Sequence, residues 1–282
     1  MPTPTPRSMQ KVVSLLIAAA VVYLGLCGVV LLVQRSQIYF PQPEADHPGA
    51  QVVWLDSEGA RLKVWSILRP GSAALIYFGG NAEDVAGNIE LFSAAFPDRS
   101  LYLVNYRGYG GSSGRPSEKA LFADALAIYD HALTRHAHVA IMGRSLGSGV
   151  AVYVASQRSV ERLVLVTAYD SLVKVAQRYY PYLPVNLLLR DRYDSVSRAP
   201  QVKAPVLIVI AEEDEIIPRA RSEALAAAFR PGQARTTVIR SAMHNSLDLA
   251  PEYLRTVQAF LDQRRPRPGS VVDGEPASGS AF

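Results

Sequence analysis

Residues 138–157 read HVAIMGRSLGSGVAVYVASQ, and this stretch decides the fold. A short aliphatic run ends at Met142, the pentapeptide Gly143-Arg144-Ser145-Leu146-Gly147 follows, and a helix-compatible segment rich in small residues comes next. Strand, tight turn and helix form the context that gives a G-x-S-x-G its meaning: a serine on a strained elbow, its hydroxyl exposed at the top of a sheet. Glycines flank such a serine because the backbone turns too sharply for larger side chains and the helix packs close to its neighbouring strands. Gly149 and Ala151 continue that requirement. Ser145 is the expected nucleophile.

Outward from this stretch, short apolar runs alternate with helical patterns. Residues 73–78, 100–105, 162–166, 205–210 and 236–240 join 138–142 as expected strands. Several are continuous β-branched or aliphatic runs, as in a parallel sheet covered on both faces. Residues 51–55 and 61–68, separated by Asp56-Ser57-Glu58-Gly59, read as an antiparallel hairpin at a sheet edge. Leu121, Phe122, Ala125, Ile128, Tyr129, Ala132 and Leu133 share one helical face. Tyr253, Leu254, Val257, Phe260 and Leu261 share another, after a Pro251 suited to a first helical turn. The expected class is α/β: one domain over residues 50–263, with a mostly parallel, doubly wound sheet of about eight strands and an antiparallel N-terminal edge. A chain of 282 residues with 49% apolar content can bury a core of that size.

A serine hydroxyl needs a base, and the base needs an acid to orient it. Of five histidines, His47 falls in a proline-rich segment, His131 and His136 in or at the end of a helix, and His138 at the start of a strand. His244 alone follows the last expected strand, at the carboxyl edge of the sheet where such folds bind ligands. Asp214, after the strand at 205–210, is the expected acid; Glu212, Glu213 and Glu215 are its neighbours and rivals, and Asp170 is a further alternative. The order Ser, Asp, His along the chain suits this arrangement. An oxyanion needs two preorganised N–H groups. The backbone of Leu146 and that of Asn81, in the loop Gly79-Gly80-Asn81 after the strand at 73–78, are the expected donors.

Residues 12–33 carry no charged side chain, a run long enough for one helix to cross a hydrocarbon core about 30 Å thick. A cleaved signal peptide would have a shorter apolar core and a small-x-small cleavage site, and a buried soluble helix would rarely be so uniformly apolar. An uncleaved transmembrane anchor is therefore expected after a short tail at 1–11. Residues 34–49, with Pro41, Pro43 and Pro48, read as a tether. Arg7 and Lys11 precede the run and Arg35 follows it, so the positive-inside rule puts the N-terminus in the cytoplasm and the catalytic domain outside. Cys27, the one cysteine, excludes an intramolecular disulfide and reads as a small residue in an apolar run; Leu26 before it does not suit a lipoprotein signal. From 264 to 282 Arg, Pro, Gly and Ser dominate, and a disordered tail is expected. The formal charge of +4 is thinly spread, and the basic run Arg264-Arg265-Pro266-Arg267 lacks interleaved aromatics, which argues against a nucleic-acid partner. No metal-ligand cluster is evident, and acyl transfer of this kind needs no cofactor. Nothing in the sequence specifies an oligomeric state.

These motifs together resemble the α/β-hydrolase superfamily, and within it the single-pass, membrane-anchored α/β-hydrolase-domain proteins related to serine aminopeptidases and depalmitoylating thioesterases. The resemblance runs from Gln34 to Leu261 and includes Tyr77 to Asn81, Asn105-Tyr106-Arg107-Gly108-Tyr109-Gly110-Gly111, the elbow, Tyr169-Asp170-Ser171-Leu172, Asp214 to Pro218, and His244-Asn245. Relatives usually carry His-Gly-Asn where this chain has Gly79-Gly80-Asn81, a change that keeps the backbone donor and predicts a looser loop. They also tend to have glycine where Met243 stands. The resemblance makes Arg107 and its neighbouring glycines structural. It implies a small-molecule or lipid-like acyl substrate, an ester or a thioester. A peptidase, with Glu83 or Glu212 holding a peptide amino group, and a non-catalytic binding protein on a decayed hydrolase fold are the alternatives.

Overall fold

The computed structural model describes residues 6–263; the tail expected at 264–282 lies outside them. The chain runs α1 (Pro6–Ile38), β1 (Gln51–Ser57), β2 (Ala60–Ile67), β3 (Ala73–Phe78), α2 (Ile89–Ala95), β4 (Ser100–Val104), α3 (Glu118–Leu133), β5 (His138–Arg144) and α4 (Leu146–Gln157). It continues through β6 (Leu163–Val166), α5 (Leu172–Tyr179), α6 (Val185–Leu188), α7 (Ser195–Arg198), β7 (Val206–Ala211), α8 (Arg219–Ala228), β8 (Ala234–Ile239) and α9 (Pro251–Leu261). The eight strands form one sheet in the order β1-β2-β4-β3-β5-β6-β7-β8. β2 is antiparallel to both β1 and β4, and every pair from β4 to β8 is parallel. This is the α/β-hydrolase fold with the expected antiparallel edge.

Alternation along the strands divides the core in two. Ile76 and Phe78 face α3, α4 and the layer around Tyr193, whereas Leu75 and Tyr77 face Phe92 of α2 and Tyr253 and Val257 of α9. Strand order reverses across β4-β3-β5, so the loops leaving the carboxyl ends of the paired β3 and β5 diverge and leave a crevice, the place where open α/β sheets bind ligands. Local signals set the helices. Ser117 caps α3, its Oγ accepting from Ala120 N, and Pro251 opens α9.

The N-terminal helix departs from expectation at its far end. Its segment Met9–Ile38 is long and apolar enough to cross a membrane, and its apolar side chains are nearly all exposed. The helix does not stop at residue 33. No breaker occurs before Pro41, so it continues to Ile38, and the segment expected as a tether is fastened to the domain. Gln34 Nε2 donates to Leu188 O (3.1 Å), and Gln34 Oε1 accepts from Arg190 N (2.7 Å). Arg35 Nε meets the buried Asp191 carboxylate at 2.9 Å, and the buried Tyr39 hydroxyl donates to the same carboxylate at 3.0 Å. The α/β domain thus holds the end of the helix at a fixed point, with the half-exposed Arg35 and the buried Tyr39 both meeting the buried Asp191.

Candidate active site

The crevice at the end of β3 and β5 is a cleft of about 690 Å³ lined by Ser145, His244, Asn81 and Leu146. Ser145 sits between β5 and α4 with φ 50° and ψ −116°, a conformation that non-glycine residues rarely adopt. A Cβ on Gly147 would lie 2.0 Å from Phe78 O, and one on Gly143 would lie 2.3 Å from Gly147 O, so both flanking positions admit only hydrogen. His244 reaches the serine from the loop after β8, its Nε2 3.1 Å from Ser145 Oγ. Its Nδ1 lies 2.9 and 3.0 Å from the two oxygens of Asp214. The Asp214 carboxylate is itself fixed by the backbone N–H groups of Ile216 (3.0 Å) and Ile217 (2.6 Å). Both His244 and Asp214 side chains are buried, which favours a directed hydrogen bond over water.

The rival acids have other partners. Asp170 accepts from Arg221 Nη1 (3.0 Å) and Ser171 N, and Glu212 accepts from Ser241 N. Glu215 accepts from the backbone N–H of His244 (3.0 Å), supporting the histidine loop from beneath, and Glu213 is exposed. His136 bonds Tyr102 in the core and His47 is in the segment before β1, both away from the cleft. Among the described residues, neither Asn81 N–H nor Leu146 N–H donates to another protein group. Both are free to donate into the cleft they line.

Several residues hold this site through contacts that no local sequence pattern marks. Glu83, considered only as an amine anchor, accepts from Gly80 N (2.6 Å), Tyr77 Oη (2.7 Å) and Asn88 Nδ2 (2.6 Å). Burial, and then the neighbouring Glu83, push the Tyr77 phenol well above its ordinary range, so it stays a donor. Tyr106 Oη donates to Gly79 O (2.8 Å), Tyr109 Oη donates to Asn81 O (2.7 Å), and Asn81 Nδ2 donates to Ile38 O (2.9 Å). The loop that lacks the relatives' histidine is therefore tied from four sides. Arg144, the variable second residue of the pentapeptide, is buried beneath the cleft. Its guanidinium donates to His244 O (3.0 Å) and faces Glu83 at 3.7 Å and Asp248 at 3.6 Å. Burial alone would lower its pKa, but Tyr77, Glu83 and Asp248 more than offset this and hold it above its usual value. Arg107 pairs with the buried Asp124 (Nε to Oδ2, 2.7 Å), outside the cleft.

A cleft at the sheet's switch point, holding a serine on a strained strand-to-helix turn, is the arrangement of the α/β-hydrolases. A sequence profile of the alpha/beta hydrolase fold matches residues 73–195. The chain is 37% identical over 248 residues to the uncharacterized protein Rv2307c of Mycobacterium tuberculosis, covering 82% of this chain and 88% of that one. It is 27% identical over 243 residues to the alpha/beta hydrolase domain-containing protein WAV2 of Arabidopsis thaliana, covering 76% and 79%. Among solved structures, an esterase of Pyrococcus furiosus superposes with a TM-score of 0.64 at 18% identity, covering 79% of this chain and 98% of that one. The chain belongs to the α/β-hydrolase superfamily.

Proposed function

We propose that this hydrolase is a membrane-anchored serine esterase or thioesterase that works through an acyl-enzyme on Ser145. One observation carries the proposal: Ser145 Oγ lies 3.1 Å from His244 Nε2 while Nδ1 of the same ring lies 2.9 Å from Asp214. In the proposed reaction Oγ attacks the substrate carbonyl as its proton passes to Nε2. Asp214 holds the ring in the tautomer with hydrogen on Nδ1 and stabilises the imidazolium. The tetrahedral oxyanion accepts from Asn81 N–H and Leu146 N–H. Collapse breaks the bond to the leaving oxygen or sulfur, which takes the proton from Nε2. Water then attacks the acyl-serine, giving its proton to the same nitrogen, and the carboxylic acid departs as the proton returns to Oγ.

The amine-anchor role weighed for Glu83 in a peptidase finds no support, since its carboxylate already receives three donors. The same ties weaken the case for a decayed, non-catalytic site. The proposed organisation is a short cytoplasmic tail, the membrane-crossing part of α1 and an external α/β domain. Arg7 and Lys11 before the apolar run support that orientation, while Arg35 after it is engaged by Asp191. A fluorophosphonate probe tests the chemistry. It should label the full-length protein, and Ser145→Ala should abolish both labelling and turnover, a loss of about a millionfold in kcat. Labelling that survives in Ser145→Ala, or none in the wild type, sinks the proposal.

A further inference from the structure

Beside the cleft lies a second cavity, an open groove of about 340 Å³ between the last turns of α1 and the α5–α6 segment. Val30 and Val33 of the anchor helix form one wall, and Ala176, Leu183 and Leu188 form the other. The two cavities share Gln37, Ile38, Leu172 and Val175, so the apolar groove adjoins the cleft along this common wall. The shared wall reaches the chemistry directly, because Ile38 O holds the side chain of Asn81.

The groove also runs beside the apolar stretch of α1. Tyr23 Oη, within the apolar run, donates to Tyr182 O at 2.8 Å. Tyr23 precedes Gln34 by eleven residues, or about 16 Å of helix, so the α5–α6 connection extends along the membrane-crossing part of α1. Tyr182 in that connection (89%) and Leu187 in α6 (79%) are both exposed, an amphipathic ring and an apolar side chain suited to a membrane interface. A groove with apolar walls, adjoining the cleft that holds Ser145 and flanked by a helix long and apolar enough to cross a membrane, has the chemistry of a binding site for a hydrocarbon chain.

We infer that the groove between the anchor helix and α5–α6 binds the acyl chain of a membrane-resident ester or thioester, presenting its carbonyl to Ser145. The anchor helix is then part of the substrate site as well as a tether. The inference rests on the acyl-transfer proposal for the identity of the headgroup bond, and a binding measurement separates the two.

Full-length Ser145→Ala in phosphatidylcholine vesicles is irradiated with the p-nitrophenyl ester of palmitic acid carrying a diazirine at its terminal carbon, and the labelled residues are mapped by mass spectrometry. Label is expected on Ala176, Leu183 or Leu188, reduced about tenfold when Ala176→Trp is added to fill the groove. Label confined to residues 12–22 of α1, or unchanged by Ala176→Trp, overturns the inference. In the active chain, kcat/KM should rise about two- to fourfold per methylene from acetyl to decanoyl esters. Ala176→Trp and Val33→Trp, on opposite walls, should each shift the preference to shorter chains. A flat chain-length profile in all three proteins overturns the groove and leaves the hydrolase proposal standing. Groove labelling without turnover of any ester supports the groove and sinks the hydrolase proposal instead.

Discussion

The proposed nucleophile elbow and the proposed oxyanion loop line one cleft, yet they are held by opposite means. At the elbow the constraint is backbone against backbone: a Cβ on Gly147 would press on Phe78 O at 2.0 Å and on Gly79 O at 2.7 Å. At the oxyanion loop the constraint is made by side chains brought from elsewhere. A Cβ on Gly79 would meet Val85 Cγ1 at 2.7 Å and the Glu83 carboxyl at 3.2 Å, and the loop's polar groups are tied by Glu83, Tyr106, Tyr109 and Ile38. Backbone cannot yield without moving β3 and α4, whereas a side chain can be exchanged. The proposed nucleophile is thus marked in the sequence by five residues, and the loop of Asn81 is held by contacts spread over some seventy positions of sequence.

The sharpest way to break this contrast is to place the same methyl group on each side. Gly147→Ala should cost at least about 4 kcal/mol or prevent folding, because no neighbouring atom can retreat. Gly79→Ala should cost about 1–3 kcal/mol, as overpacking against a side chain does. Adding Val85→Ala should return part of that loss, visible as a favourable coupling in a double-mutant cycle measured by denaturant unfolding. Equal costs for the two alanines, or no rescue by Val85→Ala, would mean that the loop is as rigidly built as the elbow. The same geometry disfavours histidine at position 79 while Val85 stays, because its Cβ would lie 2.7 Å from Val85 Cγ1.

A smaller effect isolates the imported constraint. In Glu83→Gln the shape is kept, but one oxygen becomes a donor facing Gly80 N–H, Tyr77 Oη–H or Asn88 Nδ2–H. The loop should loosen and kcat should fall about 10- to 100-fold, with KM for short esters changing less than threefold. Steady-state kinetics on acetyl and butyryl esters reads this directly. A fall in folding stability with kcat intact would assign Glu83 to the fold alone.

The same division governed what could be read from the sequence. All eight strands were legible, since each is a short apolar run between turn signals, and their edges moved by only a residue or two. Ser145, His244 and Asp214 each follow a strand at the carboxyl edge, so strand order brings that edge's loops together, while the choice of Asp214 over Glu212, Glu213, Glu215 and Asp170 needed the contact with His244 Nδ1. Arg144 and Glu83 were not legible, because nothing local marks an arginine and a glutamate sixty-one positions apart as neighbours beneath a cleft. The fastening of residues 34–39 was hidden for a related reason. Proline content at 41–48 signals irregular backbone, but the partners of Gln34, Arg35 and Tyr39 lie some 150 residues later, at Leu188, Asp191 and Tyr193.

The smallest expected effect concerns Asp248, the carboxylate at the rim of the cluster through which Arg144 joins the two sides of the cleft. Burial pushes its carboxyl above the ordinary range; Arg144 opposes that shift and Glu83 adds to it. A carboxyl with a native pKa above its unfolded value of about 3.9 binds its proton more tightly in the folded chain. Its ionisation therefore costs stability. The cost is absent below the unfolded pKa, grows as pH rises through the native one, and is complete at neutral pH. Asp248→Asn, which imitates the protonated form, should then stabilise the protein at pH 7. The gain should be under about 1 kcal/mol, because a third of the side chain remains exposed. It should disappear below about pH 4, where wild type and variant bear the same charge at this position. Thermal unfolding of both proteins across this range gives the comparison. If Asp248→Asn instead loses stability at pH 7, the attraction to Arg144 outweighs the burial of the carboxylate. The join between elbow and oxyanion loop would then depend on charge as well as on packing.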